Sequence, residues 1–404
     1  MMKTILTFFL ILASFWMNAQ QHYLHCGSLI DTRNGKVLKE MTIVVEGQRI
    51  VSVEKGYRAV ENGVLIVDLK NKTVLPGLID MHVHLEGESN PHAYVEPFTL
   101  NEADVAFRAV GYAEKTLLAG FTSVRDLGGT GVNTSLRNAI NKGFVVGPRI
   151  YSAGKAIAST GGHADPTNGW KRDLMGDPGP AEGVVNGVED ARKAVRQRYK
   201  EGADVIKITA TGGVLSVAKS SSNPQFTLEE ITAICETARD YGMHVAAHAH
   251  GDEGMQRAIQ GGVKTIEHGT LMSDETMQMM IEHDVYLVPT LTAGKEVTDN
   301  AHIPGFYPEI VVPKALEIGP KIQSTFGRAY KKGVKIAFGT DAGVFKHGQN
   351  IREFAYMHEA GMPMMEVIQT ATFTNAFVLE NDQIGVLETG KLADIIAVDG
   401  ESQM

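Results

Sequence analysis

Cysteine is scarce in this sequence. Only Cys26 and Cys235 occur among its 404 residues, so the chain carries no disulfide framework. Because 43% of the residues are hydrophobic, the chain can bury a large core, and its stability must come from that core rather than from cross-links.

Basic residues are also fewer than acidic residues. Lysine and arginine number 38 against 47 acidic residues, which gives a formal net charge of −9, and the acidic residues are scattered along the chain. The basic stripe that is typical of nucleic-acid-binding proteins is missing. We therefore expect no nucleic-acid partner.

Long apolar runs are confined to the N-terminus. Residues 1–20, "MMKTILTFFLILASFWMNAQ", place Lys3 before an apolar run that ends at Met17, followed by small and polar residues. This is the pattern of a secretory signal peptide, and the run is too short and too early for a structural membrane helix. We expect cleavage near Ala19 or Gln20 and a periplasmic or secreted protein with no membrane attachment afterwards. A retained anchor is the alternative.

A small β unit is predicted at the two ends of the mature chain. Residues 22–75 alternate apolar and polar side chains between turn signals such as Asn34-Gly35, which indicates antiparallel strands. The late segment "DQIGVLETGKLADIIAVDG" returns to this pattern and is expected to pair with them. We predict a β-sandwich domain from residues 21–75 and 377–404. Since the pattern stops close to the end of the sequence, a domain truncated at the C-terminus is also allowed.

The middle of the chain alternates short apolar runs with helical patterns. Eight runs are recognised: "TVLPGLIDMHVHL", "FTSVRDLGG", "RIYSAG", "DVIKITATGG", "HVAAHAHG", "TIEHGT", "VYLVPTL" and "KIAFGTDAG". Between them lie helical patterns such as "GVEDARKAVRQRYKEG", "TLEEITAICETARDYG" and "SDETMQMMIEHD". This alternation predicts an α/β fold, a (β/α)8 TIM barrel over residues 76–376, with a doubly wound open sheet as the alternative. The long segment Ala293 to Lys332 is typical of a lid or substrate loop.

Polar, chemically active residues stand at the carboxyl ends of these predicted strands, where the catalytic groups of a barrel lie. They are His82 and His84 on the first strand, Lys207 on the fourth, His248 and His250 on the fifth, His268 on the sixth and Asp341 on the eighth. Each alone has an ordinary structural explanation, such as a hydrogen-bonded core histidine or a turn aspartate. Five histidines and a carboxylate at one end of a barrel instead predict a divalent metal site, because imidazole and carboxylate are the ligands that zinc prefers.

The motifs "PGLIDMHVHL", "VIKITATGG", "HVAAHAHG", "IEHGT" and "FGTDAG" follow one another in the order seen in the amidohydrolase superfamily. The chain resembles that superfamily over essentially its whole mature length. Its details are similar to the imidazolonepropionase-related branch, which includes metal-dependent Xaa-Pro dipeptidases and Xaa-Arg/Lys carboxypeptidases. The resemblance implies a barrel beside a split β-sandwich.

The resemblance also implies a pair of divalent metal ions, with Zn²⁺ the expected metal. His82, His84 and Asp341 would hold the more buried ion. His248 and His268 would hold the more exposed one. Lys207 would be carboxylated by CO2 and bridge the two, which makes physical sense because an ammonium beside two cations should have a lowered pKa and a reactive free amine.

The function that follows is hydrolysis of a carbon–nitrogen bond. We expect a secreted amidohydrolase that cleaves a dipeptide or an N-acyl amino acid with a metal-activated hydroxide, and Asp341 as the acid/base. Hydrolysis of a cyclic amide or lactone is the alternative within the enzyme class. A catalytically inactive metal-binding barrel is the alternative outside it. The exposed helices of a barrel would also permit a homo-oligomer.

Substrate residues are predicted at two loops over the barrel mouth. His163 in "STGGHADP" matches a "GGH" stretch of the dipeptidase-like branch and is expected to contact the substrate. His250 stands where some relatives carry tyrosine, and it could polarise the scissile carbonyl as a catalytic hydrogen-bond donor. The loop after Lys207 is a candidate specificity loop. Arg125 is expected to form a structural pair with Asp126.

Overall fold

The computed structural model describes residues 20–400. The predicted signal peptide, apart from Gln20, lies outside the described residues, as do residues 401–404 of the predicted C-terminal segment. Within the described range, no helix combines the length and the apolarity needed to cross a membrane.

Between residues 20 and 400, the strands fall into one mixed sheet and two parallel sheets. Their bounds are β1 Gln21–Asp31, β2 Lys36–Glu46, β3 Arg49–Lys55, β4 Leu65–Pro76, β5 Leu78–Val83, β6 Phe121–Asp126, β7 Arg149–Ser152, β8 Ile206–Thr209, β9 Val245–Ala249, β10 Thr265–His268, β11 Tyr286–Val288 and β12 Ile395–Asp399.

The helices lie mostly between the strands of the parallel sheets. Their bounds are α1 Glu102–Leu118, α2 Val132–Asn141, α3 Arg172–Met175, α4 Val188–Lys200, α5 Leu228–Asp240, α6 Asp252–Gly261, α7 Asp274–Glu282, α8 Leu291–Ala301, α9 Val312–Ile318, α10 Ile322–Lys332, α11 Arg352–Glu359, α12 Met364–Gln369 and α13 Asn375–Val378. The three helices that the sequence patterns predict correspond to α4, α5 and α7.

The mixed sheet joins the two ends of the chain in the order β12-β4-β1-β2-β3. Strand β12 pairs antiparallel with β4, so the prediction that the late β-like segment joins the N-terminal unit is confirmed. The expectation of a purely antiparallel unit is wrong, because β1 and β4 pair in parallel. The β2–β3 hairpin lies between them in sequence and lets β4 return beside β1 in the same direction.

The parallel strands form a three-stranded sheet, β5-β6-β7, and a four-stranded sheet, β11-β10-β9-β8. Seven of the eight predicted runs contain one of these strands. The eighth run, "KIAFGTDAG", forms isolated parallel bridges instead: Ile336 bridges Leu287 next to β11, and Ala342 bridges Val83 at the end of β5. At the other edge, Ile157 bridges Ile208 in β8.

These contacts bring the carboxyl ends of the parallel strands to one side of the fold. Every residue of β5, β8, β9 and β10 is buried, as expected for parallel strands that are covered on both faces. Helices cover the outer faces; α5, for example, begins with a capping box in which Thr227 and Glu230 exchange hydrogen bonds. The polar residues at the strand ends are therefore held on a rigid scaffold.

Candidate metal centre

The strand-end side chains come together in the wall of one cavity of about 1160 Å³. Among the described residues, His82, His268 and Asp341 offer ligand atoms that all lie within 4.8 Å of one another. His84 Nε2 lies 3.3 Å from Asp341 Oδ1. Lys207 Nζ lies 3.4 Å from His82 Nε2. The structure thus brings together residues that the resemblance divides between two metal ions.

The other predicted site residues complete this cluster. The His248 ring centroid lies 4.7 Å from that of His268, and the His250 centroid lies 5.0 Å from it. His163 stacks on His248 at 4.4 Å between centroids. The cavity is lined by every residue predicted from the sequence for metal, catalytic or substrate contact, namely His82, His84, His163, Lys207, His248, His250, His268 and Asp341. Their individual roles stay predictions.

One ring nitrogen of most of these histidines is already engaged. Nδ1 of His82 donates to Glu267 Oε2 at 2.8 Å, and Nδ1 of His84 donates to a main-chain carbonyl at 2.8 Å. Nδ1 of His268 is hydrogen-bonded to Thr290 Oγ1 at 2.7 Å. His248 is turned the other way, because its Nε2 donates to a main-chain carbonyl at 3.0 Å. Such contacts fix the ring and leave the second nitrogen for a ligand.

Burial keeps most of these rings neutral. It lowers the pKa of His82 and of His250 to about 4, and it lowers those of His248 and His268 well below the usual value. Burial acts in the same direction on His84, but the adjacent Asp341 carboxylate outweighs it and raises the pKa of His84. Neutral imidazole is the form that binds a metal ion.

Asp341 is the clearest sign of a cation-binding site. Its Oδ1 is buried and accepts no hydrogen bond within the described chain, although it faces His84 Nε2 at 3.3 Å and His82 Nε2 at 3.5 Å. Burial would raise the pKa of Asp341, yet the two imidazoles and Lys207 lower it, so the carboxylate is ionised. A buried anion without a donor is costly. The donor set therefore fits a divalent metal ion.

Three residues around this centre adopt a left-handed backbone conformation that is uncommon for residues with a side chain. The φ angles are 73° for His268, 52° for Thr290 and 62° for Asp341. For a β-branched residue such as Thr290 this conformation is strained. Strain that gathers at one cluster of polar side chains indicates that their directions matter for function.

A buried ion pair beneath the centre was not anticipated. Arg125 and Glu267 are fully buried, and Arg125 Nη2 donates to Glu267 Oε1 at 2.8 Å. The expected pairing of Arg125 with Asp126 is wrong, because Asp126 accepts hydrogen bonds from the side chain of Asn133 and from main-chain amides instead. Although burial would raise it, Arg125 and His82 lower the pKa of Glu267 to about 2. The ionised Glu267 therefore holds the Nδ1–H of His82.

Replacing Glu267 with glutamine is expected to weaken metal binding about 10- to 100-fold, because His82 loses the anion that orients its ring. The change also leaves Arg125 as an uncompensated buried charge, so we expect the free energy of unfolding to fall by about 3–5 kcal/mol. Metal affinity by chelator competition and denaturant unfolding measure the two effects. The exposed Glu253→Gln variant is the matched control. Unchanged metal affinity in E267Q would show that Glu267 serves stability alone.

Above the centre, a glycine-rich loop carries His163. Its main-chain amide donates to Gln225 Oε1 at 2.7 Å, and its Nδ1 is buried without a hydrogen-bond partner in the described chain. Burial lowers the pKa of His163 to about 3, so the ring is neutral. A neutral, unpartnered ring nitrogen in the cavity is suited to a hydrogen bond with a substrate.

Comparison with known proteins agrees with this chemistry. A model of the amidohydrolase family matches residues 73–404. A crystal structure of a Xaa-Pro dipeptidase with bound methionine superimposes with a TM-score of 0.92 at 53% identity, covering 94% of each chain. A prolidase complexed with N-methylphosphonate-L-proline gives a TM-score of 0.85 at 32% identity, covering 94% of this chain and 93% of the other. The ochratoxinase of Aspergillus niger is 32% identical over 342 residues, which are 81% of this chain and 70% of that protein.

Proposed function

Because the chain belongs to the amidohydrolase family, in its imidazolonepropionase-related branch, we propose that it hydrolyses the amide bond of dipeptides or N-acyl amino acids. The chain is a metal-dependent amidohydrolase that acts on carbon–nitrogen bonds. The observation that carries the proposal is the buried Asp341 Oδ1, which accepts no hydrogen bond among the described residues and lies beside His82 and His84 in the cavity wall.

We propose that the site holds two divalent ions, with zinc as the expected metal. His82, His84 and Asp341 would hold one ion, and His248 and His268 the other. Carboxylated Lys207 would bridge them. Ions bound there would polarise the scissile carbonyl and lower the pKa of a bound water molecule.

We propose that residues of the protein transfer the protons and orient the substrate. Asp341 is ionised at neutral pH and has a free oxygen, so it can accept a proton and later deliver it to the leaving amine. Nδ1 of His250 is hydrogen-bonded to Thr270 Oγ1 at 2.9 Å. The other ring nitrogen of His250 can therefore orient the scissile carbonyl. His163 can donate to the substrate carboxylate. The relatives with bound methionine or a proline phosphonate support a substrate that ends in an amino acid.

We propose that the two parallel sheets and residues 335–342 form a closed (β/α)8 barrel, since the bridges at Ile157, Ile336 and Ala342 link the sheet edges. The mixed sheet would belong to the β-sandwich domain that we propose for residues 21–75 and 377–404. We also propose secretion, for which the sequence of residues 1–20 is the support, and N-terminal sequencing of the exported protein tests it.

The proposed activity is tested with the purified, metal-loaded protein and a panel of dipeptides, N-acyl amino acids, cyclic amides and lactones. Release of a free amino acid from the first two classes supports the proposal. Hydrolysis confined to cyclic amides or lactones would replace it with the alternative reaction. A fully metal-loaded protein that hydrolyses none of the panel would favour a metal-binding barrel.

Replacing His163 with alanine is expected to raise KM about 10- to 100-fold with a smaller effect on kcat, because a hydrogen bond to a charged carboxylate is lost. Steady-state kinetics with one dipeptide measure the change. The exposed His92→Ala variant serves as the control. An unchanged KM in H163A would remove His163 from the substrate site.

A further inference from the structure

A buried lysine outside the metal centre holds a loop of the cavity wall. Lys314 lies on α9, within the predicted lid segment, and its side chain is only 5% exposed. Its Nζ donates to the main-chain carbonyls of Gly213 at 3.1 Å and Ala218 at 2.9 Å, and also to that of Ser216. We call residues 213–218 the clamp loop.

The contacts of Lys314 are unusual because they involve no carboxylate. Lys314 forms no ion pair within residues 20–400, and burial lowers its pKa to about 8. An ammonium has three N–H donors, and here all three are used on carbonyl oxygens of one short loop. A buried charge is costly unless it is hydrogen-bonded, and unpaired carbonyls are costly too. Lys314 and the clamp loop therefore satisfy each other's hydrogen-bonding groups.

Two further contacts fix the clamp loop on its other sides. The Tyr94 hydroxyl donates to the Leu215 carbonyl at 2.8 Å. Gly213 lies directly against His163, and a Cβ atom at residue 213 would come within 2.2 Å of the His163 ring. The loop thus connects the lid segment to the predicted substrate histidine.

The clamp loop presents apolar side chains to the cavity. Four of the six loop carbonyls accept hydrogen bonds from Lys314 or Tyr94, while the side chains of Val214 and Leu215 line the cavity. Next to these two side chains, apolar residues from α8, α9, α10 and the loop after Asp341 also line the cavity. This apolar wall consists of Val214, Leu215, Val297, Ile318, Ile322 and Val344.

We propose that Lys314 is a positioning residue that holds the clamp loop as an apolar wall of the cavity, and that the substrate presents an uncharged, apolar group to this wall. The inference rests on the proposed amide hydrolysis for its substrate part. The positioning part depends only on contacts within the protein.

Kinetics of the full-length, metal-loaded protein test the substrate part. The panel consists of dipeptides and N-acetyl amino acids in pairs of similar size that differ only in the side chain of one amino acid. One pair compares leucine with aspartate, and the other compares methionine with lysine. We expect the wild type to prefer the apolar member of each pair. In Lys314→Met, kcat/KM for apolar members should fall about 10- to 100-fold and the preference should shrink, because a displaced wall misplaces the substrate. Metal content should not change.

The exposed Lys321→Met variant, from the same lid segment, should behave as wild type. If Lys314→Met keeps both the rate and the preference of the wild type, the proposal is overturned. A wild type that prefers the charged members overturns the apolar substrate class.

Hydrogen exchange of the clamp-loop amides gives a readout that does not depend on activity. Exchange should be clearly faster in Lys314→Met than in the wild type and in Lys321→Met, because the loop loses the lysine that holds its carbonyl groups. Lys314→Gln keeps two donors without the charge, so it should show an intermediate rate and serves if the methionine variant does not fold. Equal exchange in all folded variants overturns the positioning role. If the wild type hydrolyses nothing, the proposed function fails, while this measurement still decides the role of Lys314.

Discussion

Replacing Asp341 with asparagine is expected to lower kcat about 10²- to 10⁴-fold while most of the metal stays bound. Asparagine keeps the size of the side chain and one carbonyl oxygen, so metal ligation can persist. It cannot accept a proton as a carboxylate does. Because the neighbouring imidazoles hold the pKa of Asp341 below its usual value, the wild-type group is ready to act as a base at neutral pH.

Turnover and metal content must be measured on the same preparation of D341N. The matched control is Asp382→Asn, since Asp382 is exposed at the surface and should leave both quantities unchanged. Full activity in D341N would show that another group moves the proton. Loss of activity together with loss of metal would make Asp341 chiefly a ligand.

The convergence of the metal-centre residues could be predicted from the sequence, because they lie at the carboxyl ends of predicted strands. His82 and His84 are two residues apart at the end of one predicted strand, so they are expected to share a face, and Lys207 interrupts an otherwise apolar run. Parallel strands that alternate with helices bring their carboxyl ends together. Strand order and residue type were therefore enough to predict which side chains converge.

The supporting contacts could not be predicted in the same way. Arg125 and Glu267 are 142 residues apart on β6 and β10, and the partner of a buried charge is set by the packing of distant strands. A glutamate inside the buried run "TIEHGT" does signal that some partner must exist, because an isolated carboxylate is not buried. The sequence does not name that partner. The nearer Asp126 was therefore a reasonable but wrong choice.

The same limit applies to backbone conformation and to the lid segment. Asp341 has a φ of 62° near the end of the eighth run, which forms isolated bridges at Ile336 and Ala342 instead of a regular strand. The bonds from Lys314 to the clamp loop join α9 to a loop about a hundred residues earlier. Periodicity finds such a helix, but it carries no information about which carbonyls the lysine meets.

Replacing Lys207 with alanine is expected to remove bound metal and, with it, activity. The Lys207 side chain is buried, and its Nζ has His82 Nε2 as its hydrogen-bonding neighbour at 3.4 Å. Burial lowers the pKa of Lys207 to about 8, so the neutral amine is more populated at neutral pH than in an ordinary lysine. The neutral amine can add CO2 through a new nitrogen–carbon bond and release a proton, which converts a poorly solvated cation into an anionic ligand.

Metal content and activity of K207A, with and without added acetate or propionate, measure this role. Partial recovery with a short carboxylate would show that an oxygen anion is what the position supplies. Lys219→Ala is the matched control, because Lys219 is exposed in the loop after the same strand. In the wild type, apo protein loaded with metal in bicarbonate should take up more metal than protein loaded in CO2-free buffer. An unmodified Lys207 in a fully metal-loaded crystal would contradict the carbamate, and Lys207 would then be a buried strand-end lysine next to a metal site held by the histidines and Asp341.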